Sequence, residues 1–411
     1  MDLRNWAGNI TFAAGRLLAP HSLDELRQVV ADHQQLRALG TAHSFNRIAD
    51  SPGELVSVRN LPGGIEFDDA TGTVSVPAGA RYGELAGVLQ AHGRALGTLG
   101  SLPHISVAGA CATGTHGSGD RNRCLAAAVT MVEFVQADGE VVGVDRTAAD
   151  FSGMVVALGA LGIVSRVGLE TEPTYDLRQD VWLDAPLDRV LSHFDEIMSA
   201  GYSVSLFSDP GSRDRIEKIW IKSRDREPVD GTAWGARRAD EAVHPITGQD
   251  ARAATEQGGV PGPWHERLPH FRLSFTPSSG DEQQSEYLVP REHAAAAIHA
   301  VHELDLDHIL QVAEFRTIAA DDLWLSPCHD RSSVGLHFTW NDDDEGVGLA
   351  VRAVEQVLAP FDPRPHWGKV FGLEPAEVQR HYPRLPDFRR LIERHDPNRK
   401  FGNAFLERYI G

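Results

Sequence analysis

From Leu99 to Gly119 the chain reads Leu-Gly-Ser-Leu-Pro-His-Ile-Ser-Val-Ala-Gly-Ala-Cys-Ala-Thr-Gly-Thr-His-Gly-Ser-Gly, a stretch dominated by small side chains. Such a backbone can approach a ligand closely. Consecutive N–H groups beside the Ser106, Thr113 and Thr115 hydroxyls suit a pyrophosphate. The plainer alternative is a pair of glycine-rich surface turns. Ile105, Val107, Ala108, Ala110 and Ala112 weigh against it, because they make the stretch half apolar, as a buried ligand-contacting segment is. The spacing Gly114-x-x-Gly117-x-Gly119 adds little, since thirty-nine glycines produce such spacings by accident. Neither a Gly-x-Gly-x-x-Gly loop after a strand nor a Walker-type Gly-Lys-Ser/Thr occurs.

A chain of 411 residues, 42% hydrophobic and 24% charged, has the composition of a globular protein of two or three domains, which excludes a peptide hormone or a lone binding module. The net charge of −19 and the lack of any basic run argue against nucleic acid and anionic membrane surfaces as partners. A small anionic cofactor stays compatible with that charge, because backbone N–H groups can hold it. Cys111, Cys124 and Cys328 are too few and too scattered for a disulfide framework or a thiolate metal site, so a reduced, cytoplasmic protein without a metal ion is expected. The start, from Met1 to Asn9, lacks a basic region followed by an apolar one, and no segment reaches the ~18 apolar residues of a membrane span. Secretion is therefore disfavoured.

The first third alternates short strands and helices. Ser22–Leu36 opens with a capping serine, has Asp24 and Glu25 in its first turn, and repeats apolar residues at Leu26, Val29, Val30 and Leu36, the pattern of an amphipathic helix. Strands are expected at Arg37–Gly40, Glu54–Val58, Gly64–Asp68 and Thr73–Pro77, then a helix at Tyr82–His92. Val129–Ala137 and Val141–Val144 read as a hairpin around Asp138-Gly139. A helix at Phe151–Leu158 and a strand at Ile163–Glu170 follow. Beyond Pro173, helices are expected at Leu187–Met198 and Arg291–Leu304, and strands at Ser203–Phe207, Ile216–Lys222 and Ser333–Trp340. Asp225–Trp264 reads as an irregular insertion, and Asp396–Asn403 as a loop.

Two further patterns bear on chemistry. His43, in the turn Gly40-Thr41-Ala42-His43-Ser44-Phe45-Asn46, is compatible with a structural histidine, a ligand or a nucleophile, and residue types alone leave these open. Glu314 and Arg316 lie two apart, as do His337 and Thr339. On neighbouring strands these four would form one polar wall suited to a neutral, hydroxyl-rich molecule. Taken singly, Glu314 and Arg316 have the blander reading of an ion pair, His337 that of a core histidine and, later in the chain, Lys369 that of an exposed loop lysine.

The run Leu36–Ser44, followed by Ser106-Val107-Ala108-Gly109 and Thr113-Gly114-Thr115-His116-Gly117, resembles the flavin domain of the vanillyl-alcohol oxidase superfamily. Ser101-Leu102-Pro103-His104-Ile105-Ser106-Val107-Ala108-Gly109, Glu314-Phe315-Arg316-Thr317-Ile318, Gly335–Trp340, Pro365-His366-Trp367-Gly368-Lys369 and Asp396-Pro397-x-x-x-Phe401-x-Asn403 extend the resemblance, essentially end to end, to the alditol oxidases, relatives of the sugar-lactone oxidases. Ala42 stands where many superfamily members have glycine or a bulkier residue.

The resemblance implies an α+β flavoprotein of two domains: a bipartite α+β FAD-binding domain (1–175, rejoined by 366–411) and a mixed-sheet substrate domain (176–365). FAD would be attached covalently through His43. It would be lined by Ala38, Leu39, Gly40, Thr41, Ala42, His43, Ser44, Ser101, Ser106, Gly109, Thr113, Gly114, Thr115, His116, Val164 and His366. Ser101, Glu314, Arg316, Thr339 and Lys369 would bind polyol hydroxyls, with His337, Arg316 and Lys369 catalytic and His337 the base. The implied reaction oxidises the terminal CH₂OH of xylitol, sorbitol or a similar alditol to the aldose, with O₂ reduced to H₂O₂ by a monomeric enzyme. Gly100 favours an oxidase, because in related aldonolactone enzymes a small residue beside the flavin governs the approach of oxygen. The alternatives are a sugar-1,4-lactone oxidase or dehydrogenase and, in another class, a non-catalytic flavin- or polyol-binding protein.

Overall fold

The computed structural model describes residues 3–224, 229–275 and 282–411. Met1 and Asp2, and the first four residues of the Asp225–Trp264 insertion, lie outside the described residues.

Helix Leu23–Asp32 begins as its sequence dictates. Ser22 Oγ accepts the Glu25 N–H at 3.1 Å, and the apolar stripe buries Leu26 and Val30. The chain then enters a parallel three-stranded sheet in the order Leu17–Leu18, Glu54–Val56, Leu36–Ala38. The expected strand Arg37–Gly40 thus ends two residues early, because the chain turns after Ala38 and Ala42 takes a left-handed φ of 57°. An antiparallel five-stranded sheet follows in the order Glu66–Asp68, Thr73–Pro77, Ile163–Glu170, Val129–Val135, Val141–Asp145. The small-residue stretch becomes helix Val107–Ala112. Its first N–H groups bond back to the loop after Thr73–Pro77, Val107 to Ala80 O and Ala108 to Ala78 O.

Residues 176–365 supply a nine-stranded sheet. Its main path runs Arg237–Arg238, Asp176–Pro186, Arg215–Ser223, Ser203–Ser208, Leu310–Ile318, Ser333–Asn341, Glu282–Pro290, Arg364–Pro365, with Gly262–Pro263 also pairing Asp176–Pro186. Every pairing in it is antiparallel, where a mixed sheet was expected. Returns such as the short turn from Ser208 to Arg215 reverse the chain directly, without the long crossover a parallel pair requires. The expected helix Leu187–Met198 is two helices, Leu187–Ser192 and Phe194–Ser199, that break at His193, where φ is −109° and ψ is 18°. Phe151–Leu158 is helical only to Met154, and the expected last residue, Leu158, takes a left-handed φ of 53° that no α-helix accommodates.

The C-terminal segment returns to the first sheet. Phe401 is buried against Leu26, Val30 and Leu36, and Lys400 O accepts the Leu36 N–H at 2.9 Å. Buried Arg37 donates to Phe401 O, Ile48 O, Leu158 O and Gly159 O. Asn403 Nδ2 bonds the carbonyls of Arg47, Ile48 and Asp50. These contacts fix the turn that follows Ala38 from behind.

Candidate active site

One cavity of about 820 Å³ joins these parts. The turn after Ala38 and the start of helix Val107–Ala112 line it, together with Val164 and the polar wall of the large sheet. All the residues the sequence singled out for cofactor, substrate or catalysis line it except Gly114. Gly114 instead turns the chain after the helix at φ 69°, where a Cβ would meet Pro327 Cδ at 2.9 Å.

The turn could hold an anion. Leu39 N–H bonds Val56 O and Phe45 N–H bonds Gly368 O, but the five N–H groups between them, Gly40 to Ser44, have no partner among the described residues. Consecutive unpaired N–H groups around a left-handed residue form a concave anion site. Glycine on both sides of it lets Ser106 Oγ sit against the turn, since a Cβ at Gly40 or Gly109 would fall 2.5 or 2.8 Å from that atom and displace it. His43 Nδ1 lies 3.0 Å from Thr41 O, and its ring stacks on Trp6 at 5.0 Å. Burial lowers its pKa to about 4, so the ring is neutral. With Nδ1–H donating to the carbonyl, Nε2 keeps its lone pair.

The opposite wall forms where strands Leu310–Ile318 and Ser333–Asn341 pair with Glu314 opposite His337. Glu314, Arg316, His337 and Thr339 therefore share one face, and all four are buried. Arg316 Nη1 bonds Ser101 Oγ at 3.0 Å. His337 Nε2 lies 3.2 Å from Thr339 Oγ1, and Nδ1 contacts Lys369 Nζ at 2.5 Å. Burial, then the Lys369 charge, lowers the His337 pKa to about 4. Burial also lowers Lys369, against the pull of Glu286. His366 lies beneath, with Nδ1 accepting the Gly368 N–H at 3.1 Å.

Glu286 joins this wall and was not anticipated. It lies opposite His337 on strand Glu282–Pro290 and is 1% exposed. Oε1 lies 3.0 Å from Arg316 Nη2 and Oε2 2.7 Å from Lys369 Nζ. His116 Nε2 is 3.2 Å from Oε1, off the line of a good hydrogen bond. Burial works to raise the Glu286 carboxyl, yet Lys369, Arg316 and His116 hold it well below the usual range. Glu314 is likewise held low by Arg316 and His270 against burial. The two-residue spacing of Glu286 from Gln284 puts both on one face, but only the distant Lys369, Arg316 and His116 give the carboxylate its role.

A model of the FAD binding domain matches residues 14–145, and one of D-arabinono-1,4-lactone oxidase matches residues 281–409. Cholesterol oxidase from Brevibacterium sterolicum shares the fold, at a TM-score of 0.79 and 14% identity over 100% of this chain and 97% of that one. An alditol oxidase of Streptomyces sp. is 48% identical over 98% of this chain and 97% of its own length. An L-gulono-1,4-lactone dehydrogenase of Mycobacterium tuberculosis is 27% identical over 99% of this chain and 98% of its own. The matched domains and the 48% identical relative make the chain an FAD-dependent oxidoreductase of the vanillyl-alcohol oxidase superfamily. Within it, the chain belongs to the alditol oxidase family.

Glu286→Gln is expected to destabilise the protein by roughly 3–5 kcal/mol, because it leaves two buried cations short of their counter-charge. A denaturant titration checks this, and an unchanged midpoint would contradict the charge balance described.

Proposed function

We propose that the protein oxidises the terminal CH₂OH of an alditol such as xylitol or sorbitol to the aldose, with O₂ reduced to H₂O₂. The observation that carries this reading is the wall of Glu314, Arg316, His337, Thr339 and Lys369, which offers donors and acceptors to several neighbouring hydroxyls. Residues 1–175 with 366–411 would hold FAD, its pyrophosphate against the unpaired N–H groups of Gly40 to Ser44. Residues 176–365 would hold the substrate. The lone pair of His43 Nε2 is available for covalent attachment, and the three buried free cysteines accord with a cytoplasmic enzyme. Bound there, FAD would supply a two-electron acceptor for the hydride of the reacting carbon and, once reduced, a donor of those electrons to O₂.

The protein handles the proton and the charge. When Lys369 carries its proton it donates to His337 Nδ1 and leaves the ring hydrogen on Nε2. When Lys369 is neutral it accepts from Nδ1–H, and Nε2 is free to take the proton of the substrate hydroxyl. Burial works toward the second state and the Glu286 carboxylate, 2.7 Å from Nζ, toward the first, which is the resting charge pair of the wall. Arg316, charged in every state, stabilises negative charge as it develops on the substrate oxygen. Ser101, Glu314 and Thr339 hold the neighbouring hydroxyls, so analogues lacking them leave buried groups unpaired. Gly100 lines the cavity, and a Cβ there would take up methyl-sized space at ordinary contact, 3.7–3.8 Å from Thr115, His116 and Ile105, space that glycine leaves to a small molecule such as O₂.

A sugar-1,4-lactone oxidase or dehydrogenase is the second reading, favoured by the lactone oxidase match over residues 281–409. A peroxide-coupled assay across alditols, lactones and aldoses separates the two. Xylitol or sorbitol is expected to be turned over with peroxide release. Turnover confined to gulono- or galactonolactone, or flavin reduction by alditols without peroxide, would overturn the first reading.

Covalent attachment has its own test. Acid precipitation of the wild-type holoenzyme is expected to keep the flavin in the pellet, and His43→Ala to release it. Free flavin from the wild type would refute the linkage.

A further inference from the structure

Behind the substrate wall a line of three side chains ends on Glu314. Lys222, on strand Arg215–Ser223, is 1% exposed. Its Nζ lies 2.5 Å from Leu268 O, 3.0 Å from Pro269 O and 3.3 Å from His270 Nδ1. The Glu314 carboxylate at the other end of the line has no hydrogen to give, so the single hydrogen of the neutral His270 ring sits on Nε2 and Nδ1 accepts. Lys222 Nζ, whose pKa burial lowers to about 7, is therefore the donor to Nδ1. Burial lowers the His270 pKa to about 4, which keeps the ring neutral. Nε2–H donates to Glu314 Oε1 at 2.8 Å.

The ring cannot turn freely to break this order. Phe207 and Trp220 meet it edge-on at centroid distances of 5.5 and 5.3 Å. The backbone is fixed as well, since the N–H groups of His270 and Phe271 both bond Ser101 O, at 3.2 and 3.3 Å. Glu314 Oε1 is therefore committed to the protein, with Arg316 Nη1 a further 3.7 Å away. Oε2 has no partner among the described residues, although Glu314 lines the cavity.

We propose that Lys222 and His270 are positioning residues that hold Glu314 so that its Oε2 receives a substrate hydroxyl, and thereby set the affinity of the site for polyhydroxylated chains. Lys222 is not among the residues lining the cavity; His270 is, but the one hydrogen of its ring is committed to Glu314. The inference rests on the reading of Glu314 as a hydroxyl acceptor. It assigns the orientation of that carboxylate to residues remote in sequence from the motif that contains it.

The test measures kcat and KM for xylitol in the holoenzyme and in Lys222→Met, His270→Leu and His270→Gln, and repeats Lys222→Met on a Glu314→Ala background. Lys222→Met and His270→Leu are expected to raise KM by about tenfold or more, with kcat within about threefold of the wild type, since they weaken binding shared by ground and transition states. His270→Gln, whose amide N–H can serve Glu314 while its oxygen faces Lys222, should hold KM within about threefold. On Glu314→Ala, Lys222→Met should change kcat/KM by less than about twofold, because residues that act through one another are not additive. A KM that Lys222→Met leaves unchanged, a full-sized Lys222→Met effect without Glu314, or a glutamine as damaging as leucine would each overturn the proposal. Should Lys222→Met fail to fold, the leucine and glutamine variants at His270 decide it. Wild-type turnover of xylitol tests the alditol reading separately. If the wild type acts only on a sugar lactone, the same comparison is made with that lactone, whose ring hydroxyls need the same acceptor.

Discussion

The buried charge balance of the substrate wall constrains everything around it. Two carboxylates, Glu286 and Glu314, face two cations, Arg316 and Lys369, and all four are nearly removed from solvent. A single charge left unpaired there would be costly, so the four must arrive together. The antiparallel register meets this demand by setting Glu286, His337 and Glu314 side by side on three adjacent strands. Because its charges cancel internally, the wall can present polar atoms to an uncharged ligand. The net charge of −19 over the whole chain therefore plays no part in local recognition.

The other half of the cavity solves a different problem by different means. It offers a phosphate-bearing group unpaired backbone N–H donors in a turn held by the sheet before it, by Gly368 O after it and by the C-terminal segment behind it. Backbone donors of this kind serve an anion without adding a net positive charge to the site. Ser101 joins the two halves. Its hydroxyl accepts from Arg316, and its carbonyl anchors the segment that carries His270.

Much of this was legible where the information is local. Thr73–Pro77 and Ile163–Glu170 have the ends their alternation predicts, and the serine cap at Ser22 starts its helix. The two-residue spacings at Glu314 and His337 placed four polar groups on one face before any register was known. Interactions distant in the chain were not legible. Glu286 acquires its meaning only from Lys369, Arg316 and His116, and Lys222 only from His270 and Glu314. Backbone detail also escaped: the break at His193 interrupts an apolar pattern that itself continues unbroken from Leu187 to Met198. The glycine pattern likewise gave no means of telling Gly114, which packs against Pro327, from Gly109, which lines the cavity.

The central claim is that this cavity brings an alditol hydroxyl and a flavin together. The most direct measurement is anaerobic mixing of the holoenzyme with xylitol while the oxidised-flavin absorbance is followed. The account predicts bleaching that saturates with xylitol concentration and reverses when O₂ is admitted. Absorbance unmoved by xylitol and sorbitol, but bleached by an aldonolactone, would contradict it.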